Sequence, residues 1–206
     1  MFYEPAKRDR ARLPHDPIKA IVAPRPIGWI STRALDGRIN LAPYSYFNTF
    51  SGAPPIVGFS LDGMKDSATF AKESGEFVYN LASYDLLRAV SESSAPLPRG
   101  SSEFEHAGLT MAACNLVKAP RVKEAHASFE CKLAHFLPLL DSKGNPSANF
   151  LVIGEVVGVH IDDDFVIDGR FATVKARPLA RLGYQDYSSV DQVFELVRPR
   201  GGGNRA

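Results

Sequence analysis

The chain has 206 residues, a length that suits one domain or a tight pair. Apolar residues make up 45% and charged residues 23%, an ordinary globular composition that argues against a disordered chain. Against 24 Lys and Arg stand 23 Asp and Glu, so the formal charge of +1 lacks the basic bias of a nucleic-acid binder and gives no attraction to an anionic membrane.

Residues 1–17 are polar and carry three prolines, which predicts an extended N-terminal arm. That arm is charged and has no apolar stretch resembling a secretory h-region. From Pro26 the texture changes to short β-type runs separated by turn signals. Ile27 to Arg33 (IGWISTR) reads as a strand, and Asp36-Gly37 as a hairpin turn. Asn40 to Phe50 (NLAPYSYFNTF) returns as aromatic-rich chain, with Pro43 marking an edge, bend or bulge. After Pro54-Pro55, Ile56 to Leu61 is a further short strand.

Lys65-Asp66-Ser67 opens a helix that Gly75 should stop. Glu76 to Ala82 alternates like a strand, and Ser83 is placed to cap a second helix. The segment APLPRGSSEFEHAG, with Arg99 in it, reads as a long loop, a feature often tied to function. From Ser128 to Leu137 the alternation puts Phe129, Cys131, Leu133, His135 and Leu137 on one face. DSKGNP is a turn, and the β-branched run Asn149 to Ile161 is a central strand. The fold class expected is mainly β with inserted helices, a closed or nearly closed antiparallel barrel.

Several chemistries have no residues to carry them. The sequence has no G-x-S-x-G elbow, no phosphate-binding P-loop and no H-E-x-x-H pair. Two cysteines, Cys114 and Cys131, without a C-x-x-C make neither a disulfide framework nor a zinc site. The five histidines lack metal-ligand spacing, and Asp162-Asp163-Asp164 lacks the glycine and distal glutamate of a calcium loop. No metal site is expected, nor a dedicated catalytic acid, base or nucleophile.

What remains is a concentration of hydroxyl, amide and aromatic groups between Arg25 and Phe50, followed by Lys65, Asp66 and Ser67 at a helix start. Such a set suits a phosphorylated aromatic cofactor. Its phosphate would take hydroxyls, the lysine charge and free helix amides, and its flat ring would lie along the P-Y-S-Y-F segment.

RPIGWIST, DGR-x-NLAPYSYFN, PPIVGFS, KDS, GEFVYNLA, GEVVGVHIDD and ARLGY resemble, in that order from about Leu13 to Pro199, the flavin reductase-like, FMN-binding split-barrel family. The resemblance implies a six-stranded Greek-key split barrel over residues 18–180, a C-terminal extension over 181–199 packing on it, and a homodimer with FMN near the subunit interface. The segment 200–206 reads as a disordered tail. By the same resemblance, Ser31 and Thr32 contact the phosphate and ribityl chain. Ala42, Pro43, Tyr44, Ser45, Tyr46, Phe47 and Asn48 hold the isoalloxazine edge, and Asn40 is a further cofactor-binding candidate. Lys65, Asp66 and Ser67 make the second phosphate-side contact.

Trp29 joins the cofactor set, although its flanking Ile27 and Ile30 read first as core packing. His160 and Tyr184 are the candidates on the substrate side. The activity implied is an NAD(P)H-dependent oxidoreductase, with NADH or NADPH as co-substrate and hydride passing through the flavin. Its alternative is a flavoredoxin-like protein that carries electrons to an acceptor protein. Tyr44, Tyr46 and the extension distinguish the chain from short flavin reductases and would close the nicotinamide side of the pocket. The expected setting is the cytoplasm, without nucleic acid or membrane.

Overall fold

The alternating runs become seven strands of one antiparallel sheet: β1 (Gly28–Arg33), β2 (Ile39–Tyr44), β3 (Phe47–Gly52), β4 (Pro55–Asp62), β5 (Glu76–Leu81), β6 (Ala127–Leu140) and β7 (Pro146–Ile161). The structure, a computed structural model, describes residues 1–98, 101–197 and 199. The spatial order is β2-β1-β5-β6-β7-β4-β3, and β4 to β7 form the Greek key within it. The two edge strands, β2 and β3, are consecutive in the chain with only Ser45 and Tyr46 between them. The sheet must therefore curl until its edges nearly meet, which makes it a split barrel.

The barrel is filled by Ile30, Phe47, Val57, Phe59, Phe77 and Tyr79 among others. Phe47 stacks on Tyr79 with centroids 4.7 Å apart, and Phe59 meets Phe77 edge-on at 5.4 Å. At Gly28 a Cβ would stand 2.5 Å from the Phe47 ring, so β1 and β3 approach this closely only because residue 28 has no side chain.

The principal sheet has seven strands where the sequence suggests six. The predicted run Asn40 to Phe50 is cut at Ser45-Tyr46, because the chain must turn there from one sheet edge to the other. A second difference lies in β6. Phe129, Cys131 and Leu133 face the barrel, but a register shift skips Ala134 and reverses the alternation beyond it. Phe136 then packs inward, while His135 and Leu137 are exposed.

Helix α1 (Asp66–Ser74) plugs one barrel end with Ala68 and Ala71. It stops at Gly75, whose φ of +72° suits glycine and whose amide donates to the Ala71 carbonyl at 3.0 Å. Ser83 stands before a 3₁₀ turn (Tyr84–Leu86) leading into α2 (Leu87–Glu92), but its buried hydroxyl makes no cap hydrogen bond. The predicted long loop contains α3 (Glu103–His106), capped by the Ser102 hydroxyl.

A second core lies outside the barrel, where Trp29, Leu41, Val90, Phe104 and Val122 pack between β1, β2 and the helices. Asn80 ties this layer together. Its side-chain amide donates to the Trp29 carbonyl and Ser31 Oγ, both at 3.1 Å, and accepts from the Val122 amide at 2.8 Å and Ser128 Oγ at 3.0 Å. All four of its hydrogen-bonding positions are thus used in the interior.

Two buried carboxylates hold the segment 115–119 against the sheet. Glu76 accepts from the Lys118 and Ala119 amides and pairs with Lys132 at 2.8 Å. Glu130 accepts from the Asn115, Leu116 and Val117 amides at 2.6–3.0 Å and from His160 Nε2 at 2.6 Å. Burial pushes the Glu130 carboxyl up, but the amides and imidazole outweigh it and hold the group below its ordinary value of 4.5.

The predicted extension begins at the end of a short strand, Leu179–Arg181, which pairs with Arg25–Pro26 on one side and with Tyr187–Ser189 of the extension on the other. Residues 191–197 have no regular structure and expose Phe194 to 90%. The arm is irregular apart from a 3₁₀ turn at Pro5–Lys7 and a second turn closed by the Leu13 amide on the Asp9 carbonyl at 2.8 Å. The predicted tail 200–206 and Arg99 lie outside the described residues. Among the described residues, no helix is long and apolar enough to cross a membrane.

Two substitutions test these contacts. Gly28→Ala should lower stability by about 1–3 kcal/mol through overpacking against Phe47, read as a reduced urea midpoint. An unchanged midpoint would show that the ring moves aside freely. Glu130→Gln should cost about 1–3 kcal/mol at pH 7, since an amide cannot accept every bond that the carboxylate accepts. The carboxyl is depressed in the fold, so its contribution is present above about pH 4.5 and lost as pH falls through the lower folded value. Urea midpoints of wild type and Glu130→Gln should converge on acidification; a pH-independent gap would contradict the charge assignment.

Candidate functional site

Edge strand β2 is where the sheet leaves polar groups without a strand partner, and Pro43, lacking an amide proton, is tolerated only at such an edge. Asn40, Ala42, Pro43 and Tyr44 of this strand meet the start of α1 at Lys65, Asp66 and Ser67. These seven residues line one cleft of about 440 Å³, completed by the 93–97 segment and Glu103. Seven of the fourteen cofactor residues predicted from sequence are thereby brought together.

The cleft floor is a chain of hydrogen bonds. Tyr44 Oη donates to Ser67 Oγ at 2.8 Å, and Ser67 Oγ donates in turn to Asn40 Oδ1. Burial pushes the Tyr44 hydroxyl up to about 12, opposed by the Ser67 contact and reinforced by the charges of Glu103 and Asp66. Tyr44 therefore keeps its proton at physiological pH and acts as a donor.

Thr32 lies directly across the ladder from Asn40, so the two side chains share a face. The Thr32 hydroxyl is buried and makes no hydrogen bond among the described residues. No side chain caps α1, which leaves its first amides free to face the cleft. Lys65 is at the N-cap, where a cation opposes the helix dipole, but Asp66 in the first turn supplies the negative charge that the dipole favours.

A second cleft, of about 260 Å³, adjoins the first along Pro43 and Ser94. It holds the predicted Ser45 and Tyr184 together with Lys19, Arg25, Arg181 and Tyr187. The three cations line this cleft and were not among the residues singled out from the sequence. Arg25 opens the RPIGWIST motif and Arg181 is the second residue of ARLGY, so both were visible as charges within conspicuous motifs. Their convergence depends on the pairing of Arg25 with Arg181 across two short strands 156 residues apart.

Several predicted residues are not in either cleft. Trp29 is fully buried in the outer core, with its indole Nε1 donating to Ser93 Oγ at 2.9 Å. Ser31 is on the same face, and its hydroxyl donates to the Pro120 carbonyl at 2.5 Å. β1 is covered on both sides, so its hydroxyls enter the interior and not a surface groove. Phe47 fills the barrel. Tyr46 and Asn48 are exposed at the sheet edge, Tyr46 beneath the Lys19 ammonium at 5.7 Å and Asn48 accepting the Thr49 amide.

His160 lines neither cleft. It is bound to Glu130 on the outer face, where Cys114, Glu130 and His160 offer ligand atoms within 4.8 Å of one another. Glu130 already accepts four hydrogen bonds, and burial and the Glu130 charge push the Cys114 thiol up to about 11. The four hydrogen bonds of Glu130 tie the 115–117 backbone and His160 to the outer face of the sheet.

Comparison with known proteins extends this picture. The family described as "Flavin reductase like domain" matches residues 22–177. A protein of Halalkalibacterium halodurans is 38% identical over 189 residues, covering 89% of this chain and 90% of its own. The crystal structure of nitrilotriacetate monooxygenase component B from Bacillus cereus superposes with a TM-score of 0.86 at 30% identity, over 95% of this chain and 98% of that one. Flavoredoxin of Desulfovibrio vulgaris (Miyazaki F) shares the fold, with a TM-score of 0.74 at 20% identity over 98% and 99% of the two chains. With the split barrel, the motif order and a family match over most of its length in agreement, the chain belongs to the flavin reductase-like family.

Proposed function

We propose that the protein is an FMN-binding oxidoreductase that takes hydride from NADH or NADPH and passes electrons to a second acceptor. The observation that carries this reading is the first cleft, where an aromatic edge strand, a hydroxyl-amide chain and an uncapped helix N-terminus converge. Its 440 Å³ is room for about fifteen waters at ~30 Å³ each, a volume suited to a planar ring system. A flavin supplies hydride and single-electron chemistry when bound, and the polypeptide supplies binding and orientation.

In this reading the ring lies along Pro43 and Tyr44, and the phosphate meets Lys65 and the first amides of α1. The Asn40–Ser67–Tyr44 chain supplies polar groups beneath the ribityl side. Asp66 and Glu103 make the remaining rim acidic, so Lys65 is the one cation among the described residues lining this cleft. The protein works as a homodimer, joined at the β3 edge, where Tyr46 and Phe50 are 53% and 55% exposed.

The absorption spectrum of freshly purified protein identifies the ring, and steady-state NAD(P)H oxidation separates the two family activities. Turnover with an added acceptor supports the reductase. A firmly held flavin with no turnover supports the electron carrier. Lys65→Ala tests the phosphate position. Loss of a charge-assisted contact should weaken FMN about ten- to a hundredfold while leaving riboflavin, which has no phosphate, nearly unchanged. Equal weakening of both ligands would move Lys65 out of the phosphate site.

A further inference from the structure

The second cleft has the opposite electrostatic character to the first. Lys19, Arg25 and Arg181 line it, and none of its lining residues is acidic. Among the described residues, none of the three cations lies within ion-pair distance of a carboxylate. Arg25 is only 7% exposed. Its guanidinium donates to the Lys19 carbonyl, to the Val22 carbonyl at 2.5 Å and to the Leu182 carbonyl at 2.7 Å, while buried Nε has no partner. Those carbonyls satisfy hydrogen bonds but leave a buried positive charge without a counter-charge, a costly arrangement unless an anion approaches it.

The other two cations are positioned by aromatic rings and backbone. The Arg181 guanidinium lies over the Tyr187 ring at 4.3 Å and donates to the Tyr184 carbonyl. Tyr184 holds a left-handed backbone, with φ of +57°, at the cleft mouth, and the ring of His15 from the N-terminal arm meets it edge-on at 5.6 Å. Ile27, Pro43 and Val90 supply apolar wall. The volume of about 260 Å³ is enough for a single substituted ring.

We propose that this cleft binds a small organic acid, its carboxylate held by Lys19, Arg25 and Arg181 and its ring or short carbon skeleton set between Tyr184, Tyr187 and Pro43. The shared wall at Pro43 and Ser94 places that acid beside the cleft assigned to the flavin. That neighbourhood rests on the flavin reading; the anion site does not.

Isothermal titration calorimetry of benzoate into the full chain, FMN-free and FMN-saturated, tests the site, with neutral benzamide as the isosteric control. Benzoate should bind in both states, and benzamide about tenfold more weakly or not at all. Arg181→Gln and the exposed Lys19→Gln should each weaken benzoate about tenfold, while Arg181→Lys retains part of the affinity and FMN affinity stays unchanged. Arg25 is left intact because its bonds to three carbonyls support the fold.

Absence of benzoate binding at millimolar concentration, equal binding of benzamide, or indifference to both variants would overturn the proposal. So would two reassignments. Competition between benzoate and FMN would make the cleft the flavin's own phosphate pocket. Loss of NADPH binding in Arg181→Gln with benzoate unaffected would give the cations to a dinucleotide. If FMN fails to bind while benzoate behaves as expected, the acid site stands and the flavin reading falls.

Discussion

The approach of the Phe47 ring to Gly28 is the contact on which the rest of the architecture depends. Two sheet edges joined by two residues can only coexist if the sheet closes, and closure requires β1 and β3 to come nearer than any residue with a Cβ allows. Phe47 then turns inward to stack on Tyr79, and the chain before it, Pro43 to Tyr46, is held across the seam. Both clefts use that seam as a wall. The site is therefore a consequence of how the barrel closes.

The outer layer limits which polar residues remain available for chemistry. Asn80, Glu76 and Glu130 bind the segments 115–122 to the sheet through buried hydrogen bonds, several of them to carboxylates. Charge-assisted bonds of this kind rigidify when complete and are expensive when broken. Ser31, Ser128 and His160, which could serve as ligand contacts on an open sheet, are used up by this layer. Thr32 alone among the hydroxyls of β1 remains buried and unpartnered, and it lies beside Asn40.

The two clefts divide charge between them. Around Tyr44, one lysine and the free amides of α1 stand against Asp66 and Glu103. Around Arg25, three cations stand without an acid in the wall. A neutral, hydrogen-bonding ring suits the first environment and an oxyanion suits the second. Lys19, just after the N-terminal arm, and Arg181 and Tyr184 of the C-terminal extension line the second only, with His15 of the arm against Tyr184. The segments peripheral to the barrel thus shape the side of the site where a second small molecule enters.

Local pattern was enough to read the mainly β class, the α1 boundaries with Gly75 as stop, the 141–146 turn and the gathering of Asn40, Tyr44, Lys65 and Ser67. Period-two alternation, capping and turn chemistry act over a few residues, and the motif order tied those pieces to one family. Tertiary structure alone decided the rest. The bulge at Ala134 reversed the face of β6, a one-residue shift that no alternation pattern announces. Closure split Asn40 to Phe50 into two strands. Packing on both sides of β1 sent Trp29 and Ser31 into the outer core. The pairing of Arg25 with Arg181 assembled a cationic cleft from residues far apart in sequence. Hydrogen bonds between distant strands, and the electrostatic fields they assemble, depend on three-dimensional register, which short-range sequence pattern does not encode.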